Sequence, residues 1–179
     1  MTLITADEVA RAVAWAIPRL ACCLSPDMAG AFGRARMSET DARGAVALDV
    51  LCENARLAAS EGLPLCQDTG TVRVALEIGP GVAVAGDAFS AVDAAVADAY
   101  AAWGLRASVV HDALFNRTNT RTNAPAFCSV EPCTEPGAAR LHVMLKGGGS
   151  DNACRVVMLS PSAGRAGIVD AVLACVREK

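Results

Sequence analysis

The alternation of apolar and polar residues predicts that the chain begins with helices. Residues 6–17 place apolar side chains at helical spacing, and Pro18 is predicted to end that helix. A second short helix is predicted near residues 27–35. The N-terminal region is therefore expected to be helical before any strand begins.

A longer third helix is predicted next. Ser38, with Asp41 three residues later, resembles the capping box that often begins a helix. One apolar face continues from there to Ser60, and Gly62 supplies a stop signal. The helix is expected to lead directly into an irregular loop at residues 63–70.

Strand patterns follow this loop. Residues 72–78 alternate between apolar and polar side chains, as in a half-buried strand. Asp87 is predicted to cap an Ala-rich helix from 88 to about 102. Residues 126–132 and 139–145 are predicted to be a strand pair joined by a turn.

The end of the chain predicts one more strand and one more helix. Residues 155–159 suit a strand, and Ser-Pro-Ser at 160–162 suits the start of a helix over roughly 165–177. Helices that alternate with strands indicate an α/β fold, here a mixed sheet flanked by helices. A length of 179 residues suits one domain or two small lobes.

Charge and hydropathy exclude two classes of partner. The net charge of −3 argues against a general nucleic-acid binder. Residues 1–100 carry 7 basic and 13 acidic groups, whereas residues 101–179 carry 9 basic and 6 acidic groups, so the second part better suits an anionic small molecule. No apolar run is long enough to span a membrane and no signal peptide is evident, which predicts a cytoplasmic protein.

The eight cysteines match neither a disulfide framework nor a zinc site. The chain has no secretion signal and no Cys-x-x-Cys, and its two histidines lie far from metal-finger spacing. Most of these thiols are expected to be small core residues. A redox or metal-sensing role remains an alternative, ranked last because the spacings lack a metal signature.

The loop at 63–70 is the first segment with candidate chemistry. Pro64 restricts the backbone at the start of this loop, and Gly70 permits unusual backbone angles at its end. This combination predicts a rigid loop that presents its side chains. Four consecutive residues offer a soft metal ligand, an amide, a carboxylate and a hydroxyl: Cys66, Gln67, Asp68 and Thr69. On these residues alone, a polar turn with an inert thiol is an equally good interpretation.

A polar segment at 105–125 suits carboxylate binding. Arg106, Arg117 and Arg121 fall within sixteen residues, beside amide and hydroxyl side chains such as Asn119. A guanidinium group binds a carboxylate through two parallel hydrogen bonds. A solvated loop is the other interpretation of this segment.

A Gly-rich run follows the predicted strand 139–145 and suits anion binding. Its residues are Lys146, Gly147, Gly148, Gly149 and Ser150. Glycines after a strand let backbone N–H groups approach an anion closely, although the spacing is not that of a Walker A loop. The chain has fourteen arginines and two lysines. A lysine at this position therefore favours a function over a flexible turn.

Together these motifs resemble the α-type (N-terminal) region of the iron–sulfur class I fumarases and L(+)-tartrate dehydratases. The resemblance rests on Pro64-Leu65-Cys66-Gln67-Asp68-Thr69-Gly70, Leu105-Arg106 with Val109-Val110-His111, Arg117-Thr118-Asn119 with Asn123 and Pro125, Lys146-Gly147-Gly148-Gly149-Ser150-Asp151-Asn152, and Met158-Leu159-Ser160-Pro161-Ser162. Five motifs in register cover nearly the whole chain. The resemblance implies that residues 1–179 form the N-terminal part of an α-type catalytic domain.

The resemblance implies a hydro-lyase that hydrates or dehydrates a small dicarboxylate, fumarate to malate or tartrate to oxaloacetate. In that family three cysteines hold a [4Fe–4S] cluster with one open iron. Cys66 matches a cluster ligand, and Asp68 matches a residue proposed as the acid/base group. The residues it implies for substrate binding are Gln67, Arg106, Arg117, Asn119, Lys146, Gly147, Gly148, Gly149 and Ser150.

The resemblance also implies partners. In the family a second ligand cysteine lies in a Cys-Pro-Pro segment beyond the position where this chain stops, and the third belongs to a β-type region. We therefore expect a homo- or hetero-oligomer with a β-type subunit and a further α segment, and no activity from this chain alone. Cys175 lies on a helical pattern and is expected to be a core thiol. The alternative is a cluster-free dicarboxylate-binding or interaction subunit.

Overall fold

The chain folds into two compact units, Met1–Lys146 and Gly147–Lys179. The computed structural model describes residues 1–152 and 154–178, and it leaves the side chains of residues 150 and 151 undescribed. In chain order the first unit contains β1 (Thr2–Thr5), α1 (Ala6–Cys22), α2 (Pro26–Ser38), α3 (Ala42–Glu61), β2 (Thr71–Ile78), β3 (Val82–Ala85), α4 (Ala88–Ala102), β4 (Phe127–Pro132) and β5 (Ala139–Lys146). The predicted α/β class, with mixed strands flanked by helices, is confirmed.

Helix α1 is longer than predicted because Pro18 does not end it. The helix begins with a capping box in which Thr5 and Glu8 exchange side-chain and backbone hydrogen bonds. Pro18 lies inside the last turns, where its missing N–H leaves one helical hydrogen bond unmade. Ile17 and Cys22 are buried on either side of it, so core packing holds the chain helical through this position.

The start of α3 also differs from the prediction. Ser38 ends α2, and its hydroxyl donates to the carbonyls of Arg34 and Ala35. Asp41 is the N-cap, since its carboxylate accepts from the backbone N–H groups of Arg43 and Gly44. The predicted stop is confirmed at Gly62, which has a left-handed φ of 68°.

The predicted pairing of the last two strands is wrong. β2 lies between them, parallel to β4 and antiparallel to β5. The intervening turn reaches across the end of β2, where Gly79 N–H donates to the Ala138 carbonyl over 2.9 Å. A Cβ on Gly79 would lie 1.8 Å from the Glu135 carbonyl oxygen, so only glycine permits this crossing.

The hydrophobic core lies between β2 and the helices α1 and α4. Its members include Val9, Val13, Ile17, Val72, Val74, Leu76, Val92, Val96, Ala99 and Tyr100. They occupy alternate positions of β2 and one face of each helix, as the two periodicities require. A separate parallel pair of short strands, β1 and β3, adjoins this core; the sequence pattern did not predict either strand.

The second unit contains short helical elements. They are α5 (Gly148–Asn152), a 3₁₀ turn (Pro161–Ala163) and α6 (Gly164–Arg177). The predicted final helix is confirmed, and the Ser160 hydroxyl accepts from Ser162 N–H at the turn before it. The predicted strand at 155–159 is wrong: this segment has no regular structure, and no described strand pairs with it.

Candidate active site

The three-stranded sheet brings two candidate segments and Lys146 to one end. Residue Thr71 begins β2 directly after the loop 63–70, and it lies opposite Lys146 at the end of β5. The Thr71 hydroxyl donates to the Lys146 carbonyl over 3.5 Å. β4 runs parallel to β2, so the polar segment 105–125, which precedes β4, enters at the same end.

The loop 63–70 is irregular, as predicted, and its first half is held by neighbouring helices. Leu65 N–H donates to the Ala21 carbonyl of α1 over 2.8 Å. The Asn54 side chain of α3 donates to the Leu65 carbonyl over 2.9 Å. Cys66 and Gln67 follow this anchored point and are exposed, so the loop presents them to solvent.

The second half of the loop is fixed by buried polar groups. The Tyr100 hydroxyl lies 3.2 Å from the carbonyl oxygens of both Thr69 and Gly70. The Asn123 side chain donates to the Gly70 carbonyl over 2.9 Å. Tyr100 and Asn123 are only 3% and 0% exposed. Burial raises the pKa of Tyr100, and the nearby Asp68 charge raises it further, so the phenol stays protonated and donates at neutral pH.

Asn123 joins this turn to the segment that carries Arg106. Its side-chain oxygen accepts from Ser108 N–H at 2.7 Å and from Val109 N–H at 3.2 Å. Its φ of 58° is left-handed, a conformation that asparagine adopts more easily than most residues. The Thr69 hydroxyl adds a second link by donating to the Arg106 carbonyl over 3.1 Å.

Asp68 and Arg106 therefore come from two segments tied together. The Asp68 carboxylate is half-buried and accepts from Gly70 N–H at 3.1 Å. The Ser108 hydroxyl lies 3.5 Å from the same carboxylate oxygen. Arg106 is exposed, so its guanidinium group is accessible to an anion. This arrangement ties the turn that carries a half-buried carboxylate to the segment that carries an exposed guanidinium, a group suited to binding carboxylates.

Arg117 and Asn119 make hydrogen bonds within their own segment. The Asn119 side chain donates to the Ala107 carbonyl over 3.0 Å and accepts from Arg121 N–H at 2.6 Å. The Arg117 guanidinium donates to the Ala113 carbonyl over 2.8 Å. Both residues are exposed, and each stabilises the loop from which it projects.

The Gly-rich run is divided between the two units. Lys146 is the last residue of the first unit, whereas Gly147, Gly148 and Gly149 belong to the second. The predicted loop is in part a single helical turn, α5. A Cβ on Gly149 would meet nothing within 4 Å. The side chain of Ser150 lies outside the described part of the structure.

The cysteines do not gather into a metal site. Among the described residues, no group of three or more His, Cys, Asp or Glu side chains could hold a metal ion. Cys22 is buried and Cys128 half-buried, and burial raises the pKa of both thiols, which disfavours the thiolate that binds iron. Cys66 is exposed. The described residues therefore fit one ligand of a cluster and not a complete site.

Two residues of the site have no counterpart in the sequence-based prediction. Tyr100 and Ser108 contact the loop 63–70; Tyr100 lies outside the polar segments singled out from the sequence, and Ser108 lies within the segment 105–125 without an assigned role. Asn123 lies in one of those motifs but had no assigned role. Tyr100 is the only tyrosine of the chain and lies in an Ala-rich helix; this polar group on an apolar helix face is a usable signal.

Comparison with known protein families identifies the class. The fumarate hydratase (fumerase) family model matches residues 10–179, so the chain belongs to the fumarate hydratase family. No curated protein matches the chain. Membership supports a hydro-lyase function in general, and the iron–sulfur class of this family implies an iron–sulfur cluster. No helix in the described part of the chain combines the length and apolarity needed to cross a bilayer.

Proposed function

We propose that this chain is the part of an iron–sulfur hydro-lyase that supplies an acid/base carboxylate and groups that bind a small dicarboxylate. The reaction adds water across the double bond of fumarate to give malate, with the reverse dehydration of malate, or removes water from tartrate to give oxaloacetate. The observation that carries the proposal is the set of hydrogen bonds that ties the Asp68 turn to the Arg106 segment.

Substrate binding follows from the charges at this end of the sheet. Arg106 binds one carboxylate of the substrate through its two-pronged guanidinium group. Lys146 supplies a second positive charge, and the exposed Gln67 amide donates a further hydrogen bond. We assign additional substrate contacts to Arg117, Asn119, Gly147, Gly148, Gly149 and Ser150.

Proton transfer is assigned to Asp68. Its carboxylate is half-buried and is oriented by Gly70 N–H, so a proton that it holds has a fixed direction. The Ser108 hydroxyl lies 3.5 Å from this carboxylate and donates a hydrogen bond to it. A bound cluster would supply a Lewis acid for the substrate's oxygen atoms.

Cys66 is proposed as one thiolate ligand of a [4Fe–4S] cluster. It is exposed and lies two residues before Asp68, so a ligand here adjoins the acid/base group. The described residues do not complete a metal site. We therefore propose that a β-type subunit and a further α segment supply the other ligands, within a homo- or hetero-oligomer that is inactive without them.

A cluster-free dicarboxylate-binding or interaction subunit is the second candidate. The exposure of Arg106 and Gln67 favours it, because guanidinium and amide groups bind anions without iron. This candidate predicts that dicarboxylate affinity is unchanged when Cys66 is replaced.

The test is anaerobic co-expression of the chain with its partner chains, followed by assays of iron, sulfide, fumarate hydration and tartrate dehydration. We expect Cys66→Ala to remove both the cluster and the activity. Cys23→Ala is the matched control, because Cys23 is also an exposed thiol but lies at the end of α1. Full iron content in Cys66→Ala would contradict the ligand assignment. Dicarboxylate binding by the iron-free chain, without turnover in any complex, would support the second candidate.

A further inference from the structure

We propose that Asn123, together with the Tyr100 hydroxyl, positions the Asp68 turn for proton transfer. This inference rests on the proposed function, and it concerns a buried hydrogen-bond junction rather than a group that touches substrate. Asn123 is fully buried and makes three hydrogen bonds to backbone groups on two segments. One segment carries Asp68 and the other carries Arg106.

The side-chain nitrogen and oxygen of Asn123 both make hydrogen bonds, so this position requires a side chain that donates and accepts. The nitrogen donates to the Gly70 carbonyl at 2.9 Å, and the oxygen accepts from Ser108 N–H at 2.7 Å. Ser108 also places its hydroxyl 3.5 Å from the Asp68 carboxylate. A shift of Asn123 therefore moves two groups that contact the carboxylate: Gly70 N–H and the Ser108 hydroxyl.

Tyr100, which lies on α4, holds the same turn from a third segment of the chain. Its hydroxyl reaches the carbonyls of Thr69 and Gly70 at 3.2 Å each. The Gly70 carbonyl thus accepts from both Tyr100 and Asn123. Two buried donors on one carbonyl leave the turn little freedom, and such restriction of a catalytic group is worth large factors in rate.

The isosteric variant Asn123→Asp separates positioning from packing. An ionised aspartate keeps the acceptor for Ser108 and Val109 but cannot donate to Gly70. A protonated aspartate can again donate to that carbonyl. The variant is therefore expected to loosen the turn at high pH, where the carboxylate is ionised, and to restore it at low pH, where protonation returns a donor to the Gly70 carbonyl.

The first readout is amide hydrogen exchange of the full chain, expressed as protection factors at several pH values. We expect at least tenfold lower protection at Gly70 and Ser108 in Asn123→Asp at pH 8, with recovery at pH 5. Asn116→Asp is the matched control: it makes the same change in the same segment, on an exposed residue that accepts a hydrogen bond from Thr118. It should show no change. Unaltered protection in Asn123→Asp would overturn the inference.

Tyr100→Phe keeps the test decisive if Asn123→Asp does not fold. It retains the buried ring and removes only the donor, so it should lower protection at Gly70 by a smaller factor. No change in protection at Gly70 in Tyr100→Phe would also overturn the proposed junction.

The second readout is turnover by the assembled complex. Positioning predicts a kcat about 10–100-fold lower in Asn123→Asp, with partial recovery as the pH falls and a smaller change in KM. An equal loss of kcat at every pH, or a change in KM alone, would contradict positioning. Absence of hydratase activity in the unsubstituted complex would refute the proposed function. The exchange measurement would still test whether Asn123 and Tyr100 hold the Asp68 turn.

Discussion

Two polar parts of the chain can be compared: the site turn (residues 66–70) and the outer loop (residues 112–118). Both contain residues assigned to substrate binding. The site turn is held by buried donors from α4 and from the segment before β4. The outer loop is held by its own residues, since Asp112 accepts from three following N–H groups.

The two parts also differ in exposure. Leu114 and Phe115 in the outer loop are 80% and 90% exposed, whereas Thr69, next to Gly70, is 7% exposed. A turn fixed by several segments can keep a carboxylate in one orientation, which proton transfer requires. A locally folded, exposed loop tolerates change. Chemistry is therefore expected to depend on the site turn far more than on the outer loop.

The largest expected effect is on turnover. In the assembled complex, Asp68→Asn should lower kcat by roughly 10²–10⁴-fold, because the amide cannot exchange a proton with substrate. Asp112→Asn is the comparison in the outer loop and should cause a much smaller loss. Steady-state kinetics with fumarate test both variants. If Asp112→Asn were the more damaging substitution, the assignment of the acid/base group would be wrong.

The next effect is on stability. Tyr100→Phe removes a donor shared by two buried carbonyls and should lower the free energy of unfolding by about 1–3 kcal/mol. Urea unfolding should show a lower midpoint with an unchanged slope. Thr118→Val, which removes an exposed hydrogen bond of the outer loop, should change stability by less than about 0.5 kcal/mol. Equal destabilisation by the two variants would contradict the difference between the two regions.

The smallest effect is local and depends on pH. Hydrogen bonds from Asn116, Leu114 and Phe115 N–H lower the pKa of Asp112 below its ordinary value of 3.8. A lowered folded-state pKa means that these bonds are intact above the ordinary value and are lost as the pH falls through the lowered one. Amide chemical shifts measured across this pH range should detect the loss of these hydrogen bonds.

In that titration the amides of Leu114 and Phe115 should move together, with a midpoint below 3.8. The Val109 amide, which binds the uncharged Asn123 side chain, should not follow this transition. A midpoint above the ordinary value would show that the three hydrogen bonds do not favour the ionised form.

Local signals in the sequence predicted most of the elements correctly. Alternation over 72–78 predicted β2, and Asp87 and Gly62 marked helix ends that the structure confirms. These signals succeed because capping and side-chain periodicity act within a few residues. The same local logic failed at Pro18, where burial of the neighbouring turn keeps the helix intact, and at 155–159, where an apolar run has no described partner strand.

The candidate site was predicted in its parts but not in its connections. The motif around Asp68 and the arginine-rich segment were recognised from residue types that suit carboxylate chemistry. The roles of Tyr100 and Ser108 were not recognised, because they depend on contacts across 31 and 40 positions of sequence. The site assignments all stay predictions: those of Cys66, Gln67, Asp68, Arg106, Arg117, Asn119, Lys146 and the Gly-rich run.

The sequence by itself determined the family, the helices with clear caps and the loop that presents Cys66 and Asp68, since each of these depends on residue type and short spacing. Tertiary structure decided the strand order, with β2 between β4 and β5, and the junction at Gly70. Both depend on which distant segments share a buried surface. A buried carbonyl or strand edge must find a hydrogen-bond partner, and only the folded chain determines which one.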